Sequence, residues 1–410
     1  MKNIIREQYL ARIRPYYESD LIKVITGIRR CGKSVILSQI INEIKTYINE
    51  DHIIKIDLES IKDRNIKTCE SLEDKVSSLI KDNNKYYIFI DEIQNIKEFE
   101  IAIAAIRVSF NCSIFVTGSN SKLLSGKLQD KLTGRAKEFE IYPFTFTEYL
   151  EFRKNNNIEM NLDDSFLDYL RFGGMPQRFN ESNSNEVRKY LKGIYESIIE
   201  KDVFNMHKKI NKNEFKRVAN YVLSTTGKLF SSISVAKQLD HGITNIEAKS
   251  KSITINNYLD YLIECYLITE CSPHYIKGKE RLNGTKKYYP MDPGIKNSLG
   301  LNVEIDESFS LEGIIYNELI FRGYEVYYEK LRDGEIDFIV INDRKKCFIQ
   351  AAYYLDSENT INREYGAFKK ISDASPKYVI SLDKLDTSRD GITHLNVIDF
   401  LTNKVNITFS

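Results

Sequence analysis

The sequence predicts an α/β chain of several domains, and three observations carry that expectation. An apolar, β-branched run at Val24–Thr26 leads through a glycine loop into helical spacing from Val35 to Ile44. Further strand-like runs alternate with helical stretches up to about residue 141. From Leu311 onward the order becomes helix, strand, strand, helix, strand. With 410 residues the chain has room for two to three domains, each with its own core.

The first loop reads V-I-T-G-I-R-R-C-G-K-S, with Gly27 followed four residues later by Gly32-Lys33-Ser34. This is a phosphate-binding pattern, placed after a strand and before a helix as the chemistry requires. Glycines let the backbone wrap phosphate oxygens so that main-chain N–H groups point inward. Gly27, Ile28, Arg29, Arg30, Cys31, Gly32, Lys33, Ser34 and Val35 are therefore the candidate nucleotide cradle. Lys33 would reach the β- and γ-phosphates of ATP, and the Ser34 hydroxyl would hold Mg2+. The positive end of the following helix adds to anion binding.

A net charge of +1 implies no global electrostatic partner. The six cysteines form no C-x-x-C pair, so neither a zinc site nor a disulfide framework is expected. Charges recur every few residues in the first fourteen positions, unlike a signal peptide, and no apolar run approaches membrane-spanning length. The expectation is a cytoplasmic protein with no membrane partner.

Asp51 to Leu58 reads as a second strand, and Leu72 to Lys81 as a helix. Lys85 to Ile90 is an apolar run that ends in Asp91 and Glu92. A buried strand presenting an acid at its tip is the second part of a nucleotide site. Asp91 would steady Mg2+, and Glu92 would orient or deprotonate the attacking water. A helix from Glu98 to Val108 leads to a strand over Ser113–Thr117. Thr117, Ser119 and Asn120 at its tip are candidate γ-phosphate sensors; sequence does not choose among them, and Gly-Ser-Asn is also plain turn chemistry. Arg135, before a fifth strand over Glu138–Ile141, could supply transition-state charge in its own subunit or a neighbour's.

In this order G-I-R-R-C-G-K-S, F-I-D-E-I-Q, V-T-G-S-N-S-K-L-L-S, L-T-G-R and P-F-T-F-T-E-Y resemble the prokaryotic AAA+-type ATPases with an uncharacterised C-terminal domain. The resemblance implies a P-loop NTPase core over 1–146, a five-stranded parallel sheet with the Thr117 strand between the other two site strands. It implies a helical lid over 147–204, in which Gly173-Gly174-Met175-Pro176 is similar to the Gly-x-Pro signature of signal-transducing NTPases. Pro176 would then pack near the nucleotide.

The middle, 205–305, shows helical spacing over Asn213–Thr225, Ser232–Leu239 and Ser252–Leu262. Strand-like Leu267–Cys271 and Lys287–Pro290 flank a basic tip with Lys277, Lys279 and Arg281. Three helices and a hairpin are the outline of a winged helix-turn-helix. From His207 to Pro290 there are 14 Lys or Arg against 7 Asp or Glu; the rest carries 45 against 51. One basic module in a slightly acidic chain points to DNA contact, although the third helix offers Ser, Thr and Asn rather than Arg.

The end, 306–410, resembles the restriction-endonuclease-like fold, in which a helix glutamate, a strand aspartate and a Glu-x-Lys bind metal and activate water. Glu318 and Asp337 fall at the first two places, but the third reads Gln350-Ala351-Ala352. A neutral amide replaces a carboxylate, and the lysine that would stabilise developing charge is an alanine. Lys369 or Lys370 and Glu364 are candidate stand-ins. The expectation is a degenerate nuclease fold on an ATP-driven switch that acts on DNA. The alternatives are a nucleotide-gated scaffold or sensor with a protein partner or self-association, and an active Mg2+-dependent nuclease.

Overall fold

A computed structural model describes residues 3–121, 134–240, 242–274, 285–301, 307–332 and 334–410. It divides into two compact units: one runs to Pro143 and takes in Glu264–Tyr266, the other comprises Phe144–Ile263 and Leu267–Ser410.

The front unit is a five-stranded sheet made of β1 (Ile22–Thr26), β2 (Ile53–Asp57), β3 (Tyr86–Asp91), β4 (Cys112–Thr117) and β5 (Ala136–Glu140). The spatial order is β2-β3-β4-β1-β5. Every pairing is parallel. The Thr117 strand therefore lies between the two strands that carry the phosphate loop and the acidic pair. β1 and β3 are buried along their whole length, as central strands covered on both faces must be. Helices Lys33–Ile44, Cys69–Leu79 and Phe99–Ser109 make the crossovers. Ile54, Ile56, Leu72, Ile88, Ile103 and Ile114 share one core cluster.

The rear unit begins with helices Phe146–Asn155, Leu162–Phe172 and Ser184–Ile198. Gly174 sits directly against the Phe144 carbonyl, where an added Cβ would come within 2.1 Å of the oxygen. Its N–H donates to Asp292 at 2.7 Å. This close approach is the local reason for a glycine there, and Pro176 then starts a short 3-10 helix, Pro176–Asn180.

Next come helices Lys212–Ser224, Ser232–Leu239 and Asn245–Glu264, then the antiparallel pair β6 (Ile268–Cys271) and β7 (Lys287–Pro290). The third helix starts seven residues before the Ser252 expected from sequence. A Thr244–Glu247 reciprocal cap sets that start, with the Glu247 N–H donating to the Thr244 hydroxyl and the Thr244 N–H to the Glu247 carboxylate. Lys277, Lys279 and Arg281 lie outside the described residues.

A second, five-stranded sheet follows, its strands lying side by side in chain order. It comprises β8 (Glu325–Lys330), β9 (Glu335–Asn342), β10 (Lys345–Ala351), β11 (Lys377–Ser381) and β12 (Thr393–Asn396), with antiparallel pairing up to β10 and parallel pairing beyond. Helices Glu307–Phe321 and Glu358–Ala367 belong to this part. Among the described residues no helix is long and apolar enough to cross a membrane.

Candidate nucleotide site and the rear carboxylate cluster

The loop between β1 and the Lys33–Ile44 helix is shaped by two glycines with positive φ, Gly27 at 135° and Gly32 at 108°. A Cβ on Gly27 would lie 2.1 Å from the Ile141 carbonyl oxygen, so only glycine fits. The same carbonyl accepts the Cys31 thiol at 3.2 Å, and burial pushes that thiol's pKa up. Cys31 is thus a packing residue of the loop. Lys33 is 4% exposed, and its ammonium donates to the Gly27 and Ile28 carbonyls at 2.9 and 3.2 Å. Ser34 is exposed in the first turn of the helix, while Arg29 faces Glu59 at 3.9 Å.

Because β4 is threaded between β3 and β1, its tip reaches the acids directly. Thr117 donates its hydroxyl to the Asp91 carboxylate and accepts the Glu92 N–H at 2.9 Å. Among the three sensor candidates, Thr117 thus joins both acids. Ser119 accepts from Gln94 at 3.3 Å, and Asn120 is buried nearby in sequence. Glu92 has φ 58°, a left-handed conformation that costs of order 1 kcal/mol and turns it off the strand axis. Burial raises the Glu92 pKa, and Lys33 and Arg29 pull it back.

Two residues escaped the sequence reading. Gln94 donates its amide to the Glu92 carboxylate, and its Oε1 is buried with no hydrogen-bond partner among the described residues. Its only sequence signal was its place three residues after Asp91. Arg6, 2% exposed, donates to the Cys31 carbonyl at 3.1 Å and the Pro143 carbonyl at 3.4 Å, pinning the loop from the chain's start. No motif marks it.

Arg135 is corrected in one respect. The Ile22 N–H donates to its carbonyl at 2.8 Å, so it lies at the N-terminal edge of the sheet. The phosphate loop leaves from Thr26, four residues or about 13 Å further along the parallel strands. Arg135 is exposed and cannot reach its own subunit's site from that edge.

Glu318 is corrected as well. It pairs with Arg322 at 2.8 Å, one turn along its own helix. The helix carboxylate in the Asp337 cluster is Glu312, which shares the Lys287 ammonium with it. Glu312 and Glu318 are six residues apart, about 240° around a helix, so they cannot share a face. Gln350 accepts the Asp337 N–H at 2.7 Å and donates to Glu364 at 2.9 Å. A cation among these acids that the sequence did not mark is Lys287 of β7, while Arg363 pairs with Glu364 at 2.7 Å. Lys370, one of the candidate stand-ins, lines the same cavity as Glu312, Gln350 and Glu364, about 690 Å³ in volume. Among the described residues no group of three His, Cys, Asp or Glu is arranged to hold a metal ion.

A family model described as "AAA domain" matches residues 19–150, and one described as "Domain of unknown function (DUF8612)" matches residues 163–306. An "Uncharacterized protein" of Haemophilus influenzae is 30% identical over 403 residues, covering 97% of this chain and 98% of that protein. An uncharacterized protein of Methanocaldococcus jannaschii is 31% identical over 362 residues, covering 85% and 78%. Among solved structures, the Aeropyrum pernix ORC1 protein in complex with DNA is similar at 10% identity, covering 74% and 94%, with a TM-score of 0.34. AMPPCP-bound DnaA from Aquifex aeolicus is similar at 13% identity, covering 64% and 90%, with a TM-score of 0.29. The chain belongs to the family of these Haemophilus and Methanocaldococcus proteins, and carries at its front a P-loop AAA domain.

Proposed function

We propose that the chain binds ATP with Mg2+ and hydrolyses it as a switch acting on DNA. The observation that carries the reading is the Lys33 ammonium, buried yet spending its donors on two carbonyls of its own loop. Phosphate oxygens would replace those acceptors at little cost, because they are stronger charge-assisted partners. Ser34 and Asp91 fit a magnesium ion: a hydroxyl on the first helical turn and a carboxylate already oriented by Thr117. When bound, the ion neutralises phosphate charge. Glu92 would take the proton of the attacking water, held in place by Thr117 and Gln94. Pro176 is proposed to contact the nucleotide, as the lid resemblance implies.

Lys33→Ala is expected to abolish nucleotide binding. Glu92→Gln should bind ATP while turnover falls about 100-fold or more. Unchanged hydrolysis in Glu92→Gln refutes its assignment.

The DNA arm rests on the 207–290 module, which we read as a winged helix. Its exposed Lys208, Lys209, Lys216, Arg217, Lys228, Lys237 and Lys249 support phosphate contact. Lys212 pairs with Glu200 and the buried Lys287 with Glu312 and Glu335, all acids outside this segment, so the +7 excess overstates the basic surface. Binding to random duplex DNA should fall steeply with salt and weaken when Lys277, Lys279 and Arg281 are neutralised. A second reading, a protein partner at this module, is favoured by Ile246 and Ile253. They are 82% and 63% exposed, seven residues apart along the third helix. Salt-independent behaviour would select it.

A further inference from the structure

The nuclease-like resemblance implies a divalent metal among the rear carboxylates, and the residues present do not fit one. Lys287 has a side chain only 1% exposed, and its Nζ lies 3.1 Å from Glu312, 3.0 Å from Glu335 and 3.7 Å from Asp337. Several of the lone pairs a metal would need are already engaged, by Lys287 itself and by other donors. Glu312 Oε1 accepts both Lys287 and the Tyr289 hydroxyl, the latter at 2.6 Å. Asp337 Oδ2 accepts the Ala351 N–H at 2.9 Å. Gln350 is used at both ends, its carbonyl turned onto the Asp337 N–H.

A catalytic lysine is the other role such a side chain could have, and its placement argues against it. The cavity of about 690 Å³ beside the cluster is lined by Glu312, Glu335, Gln350 and Glu364 together with Arg363, Lys370 and others, and Lys287 is not among the residues that line it. An ammonium that must meet a scissile phosphate has to face that space.

We infer that Lys287 is the resident cation of this cluster, taking over the charge-neutralising part of a divalent metal, so that the C-terminal domain neither binds nor needs one. Electrostatics agree with this. Burial presses the Lys287 ammonium towards neutrality, but Glu312, Asp337 and Glu335 outweigh it and raise its pKa above the usual lysine value. Burial and Glu312 together push Asp337 towards its protonated form, which further reduces its worth as a metal ligand.

The test uses the full-length, nucleotide-free chain and Mn2+ titration followed by electron paramagnetic resonance. The wild type and Glu335→Gln, a substitution at a half-buried and therefore tolerant position, should bind Mn2+ identically. Lys287→Met should gain one site at least tenfold tighter than any in the wild type, lost again when Asp337→Asn is added. A wild-type site that weakens in Glu335→Gln overturns the inference, as does a folded Lys287→Met that gains none. Should Lys287→Met fold only when Mn2+ is supplied, the inference is supported. Should it fold under neither condition, the comparison of wild type with Glu335→Gln decides alone.

Discussion

Thr117 bears more than its size suggests, because one hydroxyl satisfies a buried carboxylate at the tip of the neighbouring strand and the half-buried N–H of the residue that follows it. Thr117→Val keeps the shape and strands both partners, so stability should fall by about 1–3 kcal/mol in urea titrations, and ATP turnover with it. Glu140 gives a pH signature. Burial, then repulsion from Glu138, raises its pKa from 4.5 to about 7. The folded state holds the proton more tightly than the unfolded chain, so this contribution is full below about pH 4.5 and is lost as pH rises through 7. Glu140→Gln should flatten that loss, which is on the order of 2 kcal/mol between urea melts at pH 5 and pH 8. At this scale the sequence was legible where a residue's role is local. That Lys33 opens the helix after the phosphate loop, and that Asp91 and Glu92 stand at the end of β3, follows from spacing alone. Arg6 and Lys287 act on groups brought to them by folding, and their own neighbours in sequence carry no trace of it.

Elements were read well where periodicity and punctuation agree. The strands at Val24, Tyr86 and Ser113 lie within a residue or two of their expected bounds, and the Ser232–Leu239 helix matches in full. The third helix of the middle segment starts before its periodicity predicts, because its first turns, Ile246 to Lys251, present charges and an exposed isoleucine instead of an apolar face. The Thr244–Glu247 cap was the better signal. The loop before the Lys33 helix gives the element-level prediction. Gly27→Ala must move the Ile141 carbonyl and hold a φ near 135°, so it should cost more than about 1 kcal/mol and lower nucleotide affinity. Isothermal titration with ATP checks the second part, and thermal melts the first.

For the molecule as a whole, two units imply that unfolding is not a single two-state event. ATP at 100 times its Kd stabilises whatever binds it by about 2.7 kcal/mol. Calorimetry should therefore show one transition moving upward with ATP and another left in place, with neither moving in Lys33→Ala. Arg135 belongs to this scale too. Placed at the far edge of its own sheet, about 13 Å along the strands from its own phosphate loop, it is proposed to serve another copy, so Arg135→Ala should leave ATP affinity unchanged. Its turnover should fall only at concentrations where the chain self-associates, which sedimentation can establish.

The order β2-β3-β4-β1-β5 also bears on how the chain is made. β1 is synthesised before both its neighbours, β4 and β5, which begin at Cys112 and Ala136. The Ile141 carbonyl that closes over Gly27 and Cys31 comes later still. On the ribosome the phosphate loop is therefore exposed for the time taken to add more than a hundred residues, an apolar edge without a partner. Stalled nascent chains ending before Ile141 emerges should fail to retain ATP, and those released a few dozen residues later should hold it.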